Sequence, residues 1–211
     1  MGFLIQKIGE REWQPFIRAR NALFEPETLL RGCSLEVEHG PFVIRLDTRQ
    51  HAQNHMDGTS YLGEQAVGEC WVRVAVTNSS AFHCEISREG ATTSLIKMLG
   101  AEEVELGIPE FDDAFWLKTN SPAILADLLT PDLRAQLLAH RTLAFVMRHK
   151  DRGLFGGQTL PEGVDLILYE SPYLISNCDE LEAVFGFFEA LLDRLVELEV
   201  IDFADPGVIW R

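Results

Sequence analysis

Basic residues are scarce in this chain: 18 Lys and Arg stand against 33 Asp and Glu across 211 residues, a formal charge of -15. A surface that negative repels phosphate backbones and anionic membranes unless its cations gather in one patch. The nearest gathering is Arg134, Arg141, Arg148, His149, Lys150 and Arg152. It straddles an expected helix, strand and turn without interleaved aromatics, so no nucleic acid is expected as a partner. Long apolar runs are missing too. Nothing approaches the ~18 consecutive apolar residues of a membrane span, and residues 1–5 give way to Gln6, Lys7, Glu10 and Arg11 instead of continuing as a signal peptide. The expectation is a protein with no membrane span, cytoplasmic by default. Cys33, Cys70, Cys84 and Cys178 are the only cysteines. They form no Cys-x-x-Cys pair, and a chain this long needs no disulfide staples. Three lie in or beside apolar segments and are expected as buried thiols.

Catalytic signatures are absent as well. Gly-x-Ser-x-Gly does not occur, nor does His-Glu-x-x-His. The one glycine-rich stretch, Arg152-Gly153-Leu154-Phe155-Gly156-Gly157, lacks the lysine and hydroxyl of a phosphate loop and precedes a strand pattern rather than a helix. It reads as a hairpin turn displaying Phe155. His83 and Cys84 are adjacent in a strand pattern, which sends them to opposite faces. No motif implies a cofactor, and no metal is assigned.

What remains is a strong folding pattern. Apolar residues make up 46% and charged residues 24% of a chain long enough to bury a sizeable core. Residues 13–24 suit a helix with Trp13, Phe16, Ile17 and Phe24 on one face, and Arg20 interrupts that stripe with its charge left in water. Leu35, Val37, Phe42, Ile44 and Leu46 alternate with charged residues about His39-Gly40-Pro41, which predicts a hairpin with one wet face. Residues 48–60 are polar without apolar period and read as a long loop. Residues 69–77 alternate strongly, and Phe82, Cys84 and Ile86 answer beyond Asn78-Ser79-Ser80, which predicts a second hairpin.

A short helix is expected at 92–99, then strands at 104–106 and at 111–119, the latter led by Phe111 and Phe115. Ser121-Pro122 and Thr130-Pro131 each write a helix start, a cap followed by proline at the first helical position. Strands follow at 143–148 and 164–169. The clearest element is a helix from Cys178 to about Glu199, with Asn177 and Glu180 spaced as a capping box. Its stripe is Leu181, Val184, Phe185, Phe188, Leu191, Leu192 and Leu195, and its outer face, with Glu182, Glu189 and Asp193, is expected to be solvated. The fold class is therefore α+β: a largely antiparallel sheet with helices packed on it and a long amphipathic helix near the C-terminus. The whole chain, 1–211, reads as one domain, with residues 1–30 able to stand apart as an N-terminal helical extension.

Leu99-Gly100, Val104-Glu105-Leu106-Gly107, Glu110-Phe111-Asp112-Asp113-Ala114-Phe115 and Leu117-Lys118-Thr119-Asn120, followed by leucine-rich helices, together resemble a signature of uncharacterised bacterial proteins. That group carries a Gly-x-x-x-Phe-Asp-x-x-Phe segment. The resemblance spans roughly residues 65–200 and is most specific over 99–120. It implies a recurring fold and no activity. Asp112 is expected to cap nearby backbone N–H groups.

Two functional readings stand beside each other. The first is a non-enzymatic scaffold or protein-interaction domain, meeting a protein partner or another copy as a homo-oligomer, with Trp116, Phe155 and Trp210 as contact residues. The second is a metal- or small-ligand-binding protein, or a hydrolase-type enzyme, with its pocket between the sheet and the last helix, bordered by the 48–60 loop. His51 and His55, with Asp47 and Asp57, are the one dense cluster of metal-capable side chains, although the spacing lies in a loop and is read first as solvated. Convergence of His51, His55, Asp57 and Arg73 in one cleft would favour this second reading.

Overall fold

The computed structural model describes residues 11–26, 32–57, 60–88, 102–140, 142–148, 160–175 and 177–210, and of residues 50–57 and 60–67 the backbone alone. In chain order these form α1 (Gln14–Arg20), β1 (Leu23–Glu25), β2 (Ser34–His39), β3 (Phe42–Asp57), β4 (Ser60–Thr77), β5 (Cys84–Arg88), β6 (Glu102–Val104), α2 (Pro109–Asp112), β7 (Phe115–Thr119), α3 (Pro122–Leu128), α4 (Pro131–Ala139), β8 (Phe145–Arg148), β9 (Val164–Ser171) and α5 (Cys178–Glu197). The expected α+β class holds. Nine strands form one sheet in the order β1-β2-β3-β4-β9-β8-β5-β7-β6, antiparallel at every junction.

Period-two alternation sends one apolar set from each long strand to the same side. Leu35, Ile44, Val72, Val74, Ile167, Ile86 and Leu117 meet the helices there. α5 lies over this side, and its stripe includes Phe187 beside the expected residues; all eight of its large apolar side chains there are buried. Each fully buried Leu or Phe contributes about 1.5–3 kcal/mol, so this helix is a principal source of the fold's stability. Asn177 caps it, its Oδ1 accepting from the Glu180 N–H at 2.8 Å. The space between α5 and the sheet is occupied by core side chains such as Phe16, Phe145 and Phe187. Among the described residues, no helix is long and apolar enough to cross a membrane.

The structure corrects several expectations. Residues 48–57 are not a loop: β3 runs on to Asp57, with a shift of register between His55 and Met56, and β4 starts at Ser60. β2 leaves β3 at the Ser34–Asp47 pair, and β9 leaves β4 at Cys70–Ser171, so beyond these points β3 and β4 pair as a ribbon. A ribbon held by backbone hydrogen bonds needs no buried face, and its sequence carries no apolar period.

The second hairpin does not exist. β4 pairs with β9, while β5 lies between β8 and β7. Asn78 redirects the chain, its Nδ2 donating to Phe82 O at 2.8 Å and its backbone N–H to Gly163 O at 3.0 Å. Phe24 belongs to β1 and not to the first helix, because Asn21 ends α1 in the left-handed conformation at φ 50°. Arg20 is not left to water: it bridges α1 to α5 through Glu182 at 2.6 Å and Glu189 at 2.8 Å. Those two glutamates are thereby paired rather than merely solvated. Phe111 sits in the helical turn α2 and stacks on Phe115 at 4.7 Å. Thr130 caps α4 as expected, whereas Ser121 makes no side-chain cap. The helix expected at 92–99 and the glycine turn with Phe155 lie outside the described residues.

Candidate functional site

Opposite the helices, the same alternation builds a second face. Cross-strand pairing places one residue of each inner strand in a single row: Glu36 on β2, Arg45 on β3, Arg73 on β4, Leu168 on β9, Val146 on β8, Glu85 on β5 and Lys118 on β7. No described helix contributes to this face. Its apolar cluster consists of Ala75, Val164 and Leu166, with Leu160, Val208 and Trp210 packed against them.

Several of its charges are nonetheless buried: Arg73 is 3% exposed, Arg45 5%, Glu85 7% and Arg148 8%. Burying a charge is costly unless it is paired. At the β2–β4 end the pairing is explicit. Arg45 donates to Asp47 at 2.9 Å and to Glu36, and Arg73 donates to the other oxygen of Asp47. Burial alone would lower the Arg45 guanidinium; Asp47 and Glu36 outweigh it and hold it above its ordinary value. The ring of Trp210 lies over the Arg73 guanidinium at 4.7 Å.

At the β5–β7 end, burial raises the Glu85 carboxyl above its usual range, with Lys118 and Arg148 pulling it back. Ser87, one pleat away and paired in register with Trp116, has a buried Oγ with no hydrogen bond among the described residues. Lys118 sits over the Trp116 ring at 4.0 Å. Chemically, this face offers fixed cations, a carboxyl that is costly to ionise, aromatic planes and an apolar strip between them.

The residues expected to form a site are dispersed. Arg73 lies opposite Arg45, whereas His51 lies opposite Val67 and His55 opposite Gly63. At ~3.3 Å per residue, His55 is roughly 33 Å along β3 from the Arg73 position and His51 about 20 Å. Asp57 pairs with Ser60 at the far end of the ribbon. The sheet therefore does not bring the histidines and Asp57 to Arg73, and their side chains lie outside the described residues. Asp47 is committed to the two arginines. Trp116 and Trp210 both reach the helix-free face but stand at different places on it.

Other candidate groups have structural employment. Asp112 accepts from Leu106 N–H at 2.9 Å and Ile108 N–H at 2.7 Å, the capping role expected of it. His83 Nε2 lies 3.1 Å from Asp165, out of line for a hydrogen bond, and Asn78 donates to the same oxygen. The nearby Ser80 hydroxyl donates to Asn78 at 3.1 Å. Burial raises the Cys70 and Cys84 thiols to about 12, far from the thiolate that nucleophilic chemistry needs. Among the described residues, no group of three or more His, Cys, Asp or Glu is placed to hold a metal ion.

Arg45, Glu85 and Ser87 were not singled out from sequence, and Arg148 and Lys118 were named only in the dispersed basic gathering and in the quoted resemblance. Each reads as a polar residue on the wet side of an alternating strand. Only the strand order aligns them.

No protein-family model matches the chain, and no curated protein matches it. Among solved structures, the crystal structure of the mycobacterial trehalose monomycolate transport factor A, TtfA, is similar at a TM-score of 0.48 and 8% sequence identity, over 88% of this chain and 93% of that one.

Proposed function

We propose that the chain is a non-enzymatic binding domain whose ligand lies against the helix-free face of the sheet. The observation that carries this reading is the cluster of buried charges on that face, Arg45, Arg73, Glu85 and Arg148, which flank an apolar strip where no described helix packs. The buried, unbonded hydroxyl of Ser87 beside Glu85 adds a polar group suited to a ligand. A mixed surface of this kind suits an amphiphilic molecule, with its polar groups at the cations that flank the apolar strip. The capping role of Asp112 and the raised thiols of Cys70 and Cys84 support a binding reading over a catalytic one. The likeness of residues 99–120 to a bacterial group adds no activity to this reading.

The test is titration with an aromatic sulfonate dye, 1-anilinonaphthalene-8-sulfonate, followed by its fluorescence. Saturable binding at a single site is expected, weakened several-fold by Lys118→Ala and by Trp116→Ala. Both side chains are partly exposed, so neither change should disturb folding. Binding that is absent, or untouched by either substitution, would remove the helix-free face as the ligand surface.

A further inference from the structure

The segment after α5 already occupies part of that face. The chain leaves the helix side at Asp202, whose N–H donates to Thr77 O at 3.0 Å at the end of β4. Phe203 then packs edge-on against Phe42 at 6.0 Å and covers Gly40. Gly40 has a φ of +58°, and a Cβ there would meet the Phe203 ring at 2.9 Å, so any larger residue would displace the ring. After a turn in which Asp205 accepts from the Gly207 N–H at 2.8 Å, the chain reaches the helix-free face. There it reads as an extended peptide: Val208 and Trp210 are half-buried against Ala75, Val164 and Leu166, while Ile209 between them is 78% exposed. Residues 202–210 form no helix and no strand.

A segment without secondary structure, held by alternate side chains, is seated the way a peptide ligand is seated. Its anchor is specific. The indole of Trp210 covers the guanidinium of Arg73 at 4.7 Å, and that guanidinium also donates to Asp47. Oriented cation and apolar patch together make a surface of defined chemistry, and Val208 and Trp210 of the occupant pack on it.

We propose that the Arg73–Ala75–Leu166 surface is a peptide-binding site, that it takes an extended segment presenting an aliphatic residue two positions before an aromatic one, and that residues 203–210 are its exchangeable internal occupant. The proposal rests on the helix-free face being the binding surface and names the ligand class at one end of it. A competing peptide displaces Val208 and Trp210, and the segment swings out about the turn at Asp205–Gly207.

The experiment uses a chain ending at Asp202 and a fluorescent synthetic peptide of residues 203–211, read by anisotropy, with circular dichroism to establish that the shortened chain is folded. Saturable binding in trans is expected. A peptide carrying Trp210→Ala should bind about tenfold more weakly, the loss expected for a cation–π contact plus a half-buried indole. The intact chain should bind the peptide more weakly than the shortened one, because its own segment competes. No binding to a folded shortened chain, or equal binding by intact and shortened chains, would overturn the proposal even where the dye still binds at Lys118 and Trp116. Loss of dye binding alone would overturn the broader reading instead. If the shortened chain does not fold, the full-length Trp210→Ala variant replaces it: it should bind the wild-type peptide more tightly than the intact protein does, and failure to do so is equally decisive.

Discussion

Substitution of Asp112 separates a structural carboxylate from a chemical one. Its two oxygens accept from Leu106 N–H at 2.9 Å and Ile108 N–H at 2.7 Å, on either side of Gly107, whose φ is +74°. Together they hold the chain in the bend that carries β6 into α2 and places Phe111 on Phe115. A hydrogen bond to a charged group contributes about 1.5–3 kcal/mol, and the partial exposure of Asp112 argues for the lower end. Asp112→Ala loses both bonds, so the expected cost is about 3 kcal/mol. For a chain of this size that corresponds to a fall in Tm of roughly 6–12 °C. Asp112→Asn keeps one acceptor and should lose about half as much. Thermal unfolding followed by circular dichroism, with a urea titration to give the free energy, reads both variants. An alanine variant within about 0.5 kcal/mol of wild type would refute the argument, as would an asparagine variant as damaged as alanine.

Two further outcomes follow from the core. Phe187→Ala empties a site bounded by Phe145 at 5.7 Å and Phe188 at 5.8 Å, and should cost about 3–5 kcal/mol in urea unfolding; a cost below 1 kcal/mol would mean that α5 does not seat this ring in the core. The thiols predict a pH dependence with a definite sign. Cys70 and Cys84 are raised from 9.0 to about 12, so the unfolded chain loses those protons first, and stability is fully present below pH 9 and declines as pH rises from there toward 12. The slope is about 1.4 kcal/mol per pH unit per thiol. Replacing both with alanine should flatten that limb of the unfolding curve, and an unchanged limb would contradict the burial of the two thiols.

The sequence was legible wherever burial imposes a period. α5 could be read because Leu181, Phe185, Phe188 and Leu192 must all face one way, and Asn177 marks its start. β2 and the first part of β3 were legible for the same reason. Phe187 escaped because the apolar arc is wider than a single stripe. β1 was hidden by Phe24, which also falls at helical spacing, and only Asn21 betrays the break. The ribbon was illegible because backbone pairing demands no apolar period, and polar residues such as Gln50, Gln53 and Asn54 satisfy a ladder as readily as a loop. Pairing partners are a deeper gap. Alternation in β5 records that it is a strand but not that Cys84 lies opposite Thr119 and Met147. Since the helix-free row exists only once all of those partners are known, its members were invisible as a group.

The separation of β4 from β5 also sets the order in which the molecule can be made. β4 meets β3 almost as soon as it is synthesised, but its other neighbour, β9 (Val164–Ser171), and the helix that covers it belong to the last quarter of the chain. A ribosome that has released residue 100 therefore carries a growing chain with a long strand edge open and its apolar side uncovered. Among the described residues, no strand between β4 and β9 completes that edge. The decisive folding step is a late one, when a single arriving strand joins the two halves of the sheet. Loop closure over so many residues makes it slow, and the interval before it is when the nascent protein is most exposed to aggregation and to chaperones.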